Sequence, residues 1–127
     1  MTTIHQEVTL KAAPERVYEA FMDTKQRAAF TGNTAEVSRE PGGAFTAHDG
    51  FVTGRNVELV PNKRIVQVWR FHDWPEGVYS LVKFELAKDG SGTRVVLDHT
   101  GIPDGHREHL ETGWTARYWE PLKKYFS

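Results

Sequence analysis

Along the chain the hydrophobic positions change period three times. Thr3 to Leu10 alternates apolar and polar residues roughly with period two, the pattern of a half-buried strand. From Pro14 the spacing turns helical. Val17, Tyr18, Phe21 and Met22 share one face, and the proline takes the first helical position, where no backbone donor is needed. Ala13 is then the N-cap, a poor one, costing ~1 kcal/mol against serine or aspartate. Thr24 to Thr31 predicts a second short helix, stopped by Gly32.

From Asn33 to Thr100 the pattern is that of strands. The breakers Pro41-Gly42-Gly43, Asp49-Gly50, Pro61-Asn62, Pro75-Glu76-Gly77 and Asp89-Gly90 recur every eight to twelve residues or so, as in an antiparallel meander. Pro103-Asp104-Gly105 then opens a long helix to about Phe126. Glu108 and Glu111 lie early in it and Lys123 and Lys124 late, which suits the helix dipole. Leu110, Trp114, Tyr118, Leu122 and Tyr125 form one apolar stripe on it. This order predicts an α+β layer architecture within one domain over residues 1–127. A curved antiparallel sheet of six or seven strands carries two short helices and the long C-terminal helix on one side.

Alternation assigns faces to the strands. Ile65, Gln67, Trp69 and Phe71 form the row facing the helix, as do Val78, Ser80, Val82, Phe84 and Leu86. Val95 and Leu97 set the inward phase of the last strand, and His99 continues it. Phe51 to Val60 has no clear phase. Gly113 and Pro121 break helix rules, the first costing ~1 kcal/mol against alanine and the second removing a backbone donor. They predict either close packing of a bent helix on the sheet or a helix held off it to leave a cavity.

Composition narrows the function. The 127 residues include no cysteine, so disulfides, thiolate chemistry and the commonest structural zinc ligands are excluded. Sixteen basic and seventeen acidic residues give a net charge of -1 without a basic stripe, which argues against nucleic acid and anionic membranes as partners. The opening MTTIHQEVTL lacks the basic start and apolar core of a secretion signal, and no apolar run approaches the ~18 residues of a membrane span. A cytoplasmic protein is expected.

No Ser/His/Asp order, phosphate loop or tuned carboxylate pair appears, so no catalytic residue, cofactor or metal is assigned. His106 and His109 lie three apart at a helix start, without the third ligand a metal would need. The aromatic residues carry more. Trp69, Phe71, Trp114 and Tyr118 are either core or the wall of a small-molecule pocket. His99 and Gln67 are its candidate polar anchors. His99, close to the strand end at Thr100-Gly101, is expected near one end of the groove, with some access to water and a lowered pKa. Trp74, in the turn HDWPEG, is expected on the rim as a surface for a partner or a second copy.

The stretches AFTGNTAEVSREPGGAF, HDGFVTG, LVPNKRIVQVWRFHDWPEGVYS and GIPDGHREHLETGW together resemble one family. It is the C-terminal domain of the activator of the heat-shock-protein-90 ATPase, with its stand-alone bacterial relatives. The resemblance runs from about Thr3 to Phe126, and its most specific tract is Leu59 to Tyr79. It implies the helix-grip (START-like) fold and a relation to a co-chaperone domain. The expected function is a non-enzymatic binding module, with a chaperone or other protein as partner, a hydrophobic small molecule in the groove, or both, as a monomer or homodimer. The alternative is a small START-like enzyme or carrier acting on such a ligand.

Overall fold

Strand β1 (Thr2–Leu10) carries Ile4, Val8 and Leu10 on its buried face and leads to helix α1 (Pro14–Met22). As the sequence predicts, α1 starts on the proline, and Ala13 supplies no side-chain cap. Asp23 ends α1 and begins α2 (Thr24–Thr31), its carboxylate accepting from the Gln26 amide at 3.0 Å. Gly32 ends α2 in a left-handed conformation with φ 76°. The computed structural model describes residues 2–32 and 35–127, so the expected start of the β region at Asn33 lies outside the described residues.

Six further strands follow: β2 (Glu36–Val37), β3 (Ala44–Ala47), β4 (Val52–Val60), β5 (Arg64–Phe71), β6 (Ser80–Asp89) and β7 (Gly92–Ile102). The order across the sheet is β1-β7-β6-β5-β4-β3-β2, with every pairing antiparallel. The inward rows are those alternation predicts. Ile65, Gln67, Trp69, Ser80, Val82, Phe84, Leu86, Val95, Leu97 and His99 are buried, while Phe71 and Val78 are partly covered.

The strand without a clear phase has a physical reason for it. In β4 the register slips between Asn56 and Glu58. Its buried positions before the slip are Val52, Gly54 and Asn56, so the inward row hides a glycine and a polar residue among apolar ones. Within it Val57, which has no partner in the register, is left exposed. A bulge of this kind changes which face successive side chains occupy.

The C-terminal helix crosses the inner face in three pieces. Helix α3 (Arg107–Trp114) passes into a π-turn (Thr115–Trp119) and then α4 (Glu120–Tyr125). In the π-turn the Glu120 amide bonds back to the Thr115 carbonyl, five residues away. Pro121 follows in the first turn of α4, so the irregularity precedes the proline. One inserted residue rotates everything downstream by roughly 100°. The expected stripe is therefore corrected at its end. Leu110, Trp114, Tyr118 and Leu122 are buried, but Tyr125 turns out to 39% exposure and Phe126 turns in. Trp119, outside the expected stripe, is also buried, and its indole N–H donates to Gln6 at 2.6 Å. Among the described residues no helix is long and apolar enough to cross a membrane.

Candidate functional site

Where α3 passes over the end of the sheet, helix and sheet do not close on each other. A cleft of about 480 Å³ separates them. Val52, Trp69 and Phe71 wall it from the sheet, and Leu110, Trp114 and Tyr118 from the helix. The ring centroids of Trp69 and Trp114 are 6.0 Å apart, and those of Trp114 and Tyr118 4.6 Å. The structure thus brings Trp69, Phe71, Trp114 and Tyr118 together around one space. Trp69 also brings an indole N–H that has no acceptor among the described residues.

Gly113 lines this cleft, and a Cβ placed on it would meet nothing within 4 Å. Of the two readings of Gly113, the cavity is the one with open space beside it. Gly113→Ala should therefore stabilise the protein by about 0.5–1 kcal/mol, since the helix gains a better former without a clash. Urea melts of the two proteins measure this.

Gln67 and His99 stand elsewhere. Gln67 is buried, and its amide donates to Asn56 at 2.9 Å. Asn56 in turn donates to the Ser38 and Glu40 carbonyls, so the pair pins the β2–β3 loop. His99 has no exposed surface, which corrects the expectation of access to water at the groove's end. Trp114 Nε1 donates to His99 Nδ1 at 3.1 Å, which leaves the proton on Nε2. That nitrogen donates to Ser80 Oγ at 2.6 Å, and Ser80 passes its own proton to the Trp69 carbonyl at 3.1 Å. Both ring nitrogens are thus spent on a relay that ties β5, β6, β7 and α3 together. Burial holds the imidazole neutral, lowering its pKa to about 3.

Trp74 is also corrected. It is 3% exposed rather than on the rim, with its ring 5.6 Å from Trp69 and 5.9 Å from His106. Arg70 holds its turn by donating to the Trp74 and Pro75 carbonyls. The turn folds back under the start of α3, so a ring in a loop becomes core. Among the described residues, the large apolar side chains that do face solvent are Phe51, Val57, Tyr79, Leu81 and Tyr125.

Two residues toward the cleft's inner end, one on its wall and one behind Tyr118, escape sequence reasoning. His48 lies on the wall, 4% exposed, with its ring edge-on to Tyr118 at 5.3 Å. It opens a run of three left-handed residues: His48 (φ 50°), Asp49 (φ 59°) and Gly50 (φ 89°). Such a conformation costs a residue with a Cβ roughly 1–2 kcal/mol, and strain of this sort gathers at functional sites. Burial and the charges of Arg27 and Arg117 lower the His48 pKa to about 4, against an opposing pull from Asp49. The HDG turn, with a histidine where the chain must go left-handed, was the available signal.

Arg27 is the second. It is 1% exposed, on the buried face of α2. It donates to the Phe21 carbonyl at 3.3 Å and to the Tyr118 hydroxyl at 2.7 Å. Its guanidinium carbon lies 5.4–5.9 Å from the ring centroids of Tyr118, Phe45 and Phe21. Each such contact returns roughly 0.5–2 kcal/mol. Among the described residues no carboxylate pairs with it, and its Nε has no acceptor. Nothing in TKQRAAFT marked this arginine as an inward residue.

A family model described as Activator of Hsp90 ATPase homolog 1-like protein matches residues 11–127. The Homo sapiens protein named Activator of 90 kDa heat shock protein ATPase homolog 1 is 34% identical over 118 residues, covering 93% of this chain and 35% of the relative. The chain thus spans about a third of the length of the curated relatives it matches. Among solved structures, an HSP90 activator from Plasmodium falciparum superposes with a TM-score of 0.92 at 27% identity, covering 98% of this chain and 95% of that one. A Chromobacterium violaceum protein, 31% identical, has a TM-score of 0.80, with 98% and 96% covered.

Proposed function

This chain belongs to the Activator of Hsp90 ATPase homolog 1-like family, and on that premise we propose that it is a co-chaperone-related binding domain with no chemistry of its own, holding a small apolar molecule between helix and sheet. The observation that carries the ligand is the cleft of about 480 Å³ whose walls are Trp69, Phe71, Trp114 and Tyr118. That volume lies in the range of small-molecule sites, and rings supply apolar area at low entropic cost. Trp69, on the same wall, carries a buried indole N–H with no acceptor among the described residues. In this reading His99 and Gln67 act from behind the wall, the first by holding Trp114 and Ser80 in place and the second by holding Asn56.

The test uses the neutral fluorescent probe N-phenyl-1-naphthylamine. Wild-type protein should bind it with a rise in emission. Gly113→Leu places an isobutyl group into the open space of the cleft and should abolish the rise, without lowering the melting temperature. Equal emission from the two proteins would end the reading. The proposal includes a protein partner, a chaperone of the 90 kDa heat-shock class, by analogy with the relatives named as activators of its ATPase. Adding the domain to such a chaperone should raise its ATPase rate, and an unchanged rate would remove that part of the proposal.

A further inference from the structure

The cleft has two unlike ends. Glu108, on the first turn of α3, and His109, packed edge-on to Phe71 at 5.7 Å, mark one. Arg117, Tyr118 and His48 mark the other. Nine residues of helix separate Glu108 from Arg117, a run of roughly 13 Å. The ends are therefore electrically distinct across a space with apolar walls.

Behind the second end lies Arg27, a buried cation without a carboxylate among the described residues. Its polar neighbours are the Phe21 carbonyl and the Tyr118 hydroxyl. A fully buried charge satisfied only by neutral groups is costly to a fold unless something offsets it. Tyr118 lines the cleft, and its hydroxyl, bonded to Arg27, is polarised in one direction. Its oxygen accepts from Arg27, so its proton must point away from the guanidinium, and among the described residues that proton is given to no acceptor. Arg27 thus presents its charge to the cleft through a donor that Tyr118 carries on the wall.

We propose that the inner end of the cleft takes the carboxylate of an otherwise apolar ligand, with the Tyr118 hydroxyl donating to it, His48 beside it and the Arg27 charge behind. The apolar body then lies along Trp69, Phe71 and Trp114, toward the Glu108 end. Three charged groups act on His48: Arg27 and Arg117, which disfavour its protonation, and Asp49, which favours it. A bound carboxylate adds to the Asp49 side and offsets the two arginines. The left-handed turn at His48–Gly50 contributes to holding the imidazole there.

This inference rests on the ligand reading of the cleft, and the test separates the two. Decanoate and 1-decanol share an apolar chain and differ at the head. Both are titrated calorimetrically into the wild-type protein and into Tyr118→Phe, which keeps the ring and loses the donor. The wild type should prefer decanoate over decanol by about tenfold or more, the scale of a charge-assisted hydrogen bond. In Tyr118→Phe that ratio should fall several-fold. Arg27→Met, which keeps the unbranched stem, should lose the preference altogether if its melt shows it folds. Decanol binding as tightly as decanoate in the wild type overturns the carboxylate inference and leaves the apolar cleft standing. A preference undiminished in Tyr118→Phe overturns the placement of the head. Failure of both compounds to bind the wild type removes the ligand reading, and this inference with it.

Discussion

Trp114→Ala should cost roughly 3–5 kcal/mol, enough to leave little of the folded state of a domain this size. The ring is 3% exposed and sits between two sets of neighbours. Phe84 packs edge-on to it at 5.6 Å and Trp119 stacks at 6.2 Å, while Trp69 and Tyr118 lie beside it along the cleft. Truncation removes this area and also takes away the donor that His99 Nδ1 has in Trp114. Urea unfolding of both proteins measures the loss. A loss below about 1 kcal/mol would show that the cleft side of the ring carries most of its surface. Tyr125→Ala on the same helix should cost much less, because the π-turn has already rotated that ring to the surface.

Acid should unfold the protein through its buried histidines. His99 and His48 have pKa values lowered to about 3 and about 4, against 6.5 in the unfolded chain. Between those values and 6.5 the unfolded state binds more protons, so stability rises with pH across that window and is complete above it. At pH 4.5 each histidine should subtract about 2.5 kcal/mol relative to pH 8. His5 works in the other direction. Asp98 and Glu7 raise its pKa, so its contribution is present below 6.5 and lost as pH rises through the folded value, and its exposure keeps that contribution small. Urea midpoints at pH 7.5 and 4.5 give the slope. His99→Gln cannot take up the proton, so it should be less stable at pH 7.5 yet lose less on acidification. The same loss in both proteins would show that His99 is not the group responsible.

Helices α1 and α2 lie where Pro14, Asp23 and Gly32 place them, because caps and breakers act over one turn of chain. The inward rows of β5, β6 and β7 follow from period two, which needs only that one face be covered. Four of the aromatic residues with candidate roles, Trp69, Phe71, Trp114 and Tyr118, do meet around one cleft, since helix spacing and strand spacing both aim them at the same layer.

Other features depend on pairs of segments far apart in the chain. Trp74 stands in a turn whose composition reads as surface, and only the return of α3 overhead, with His106 against its ring, makes it core. The phase of β4 is lost because its bulge is set by pairing with β5. Whether Gly113 serves close packing or a cavity depends on the distance between helix and sheet, which no local pattern contains.

The sequence by itself determined the layers: a strand, two short helices, a meander and a covering helix, each written in residues a few positions apart. It also determined that the chain has no thiol, no strong net charge and a family resemblance strongest from Leu59 to Tyr79. Tertiary structure alone decided that Arg27 is buried without a carboxylate partner among the described residues, that His48 reaches the cleft, and that His99 is closed off behind it. The physical reason is range. Periodicity and capping are energies of neighbours along the chain, whereas a buried charge or a cleft is an energy of residues up to 91 positions apart, as Arg27 and Tyr118 are.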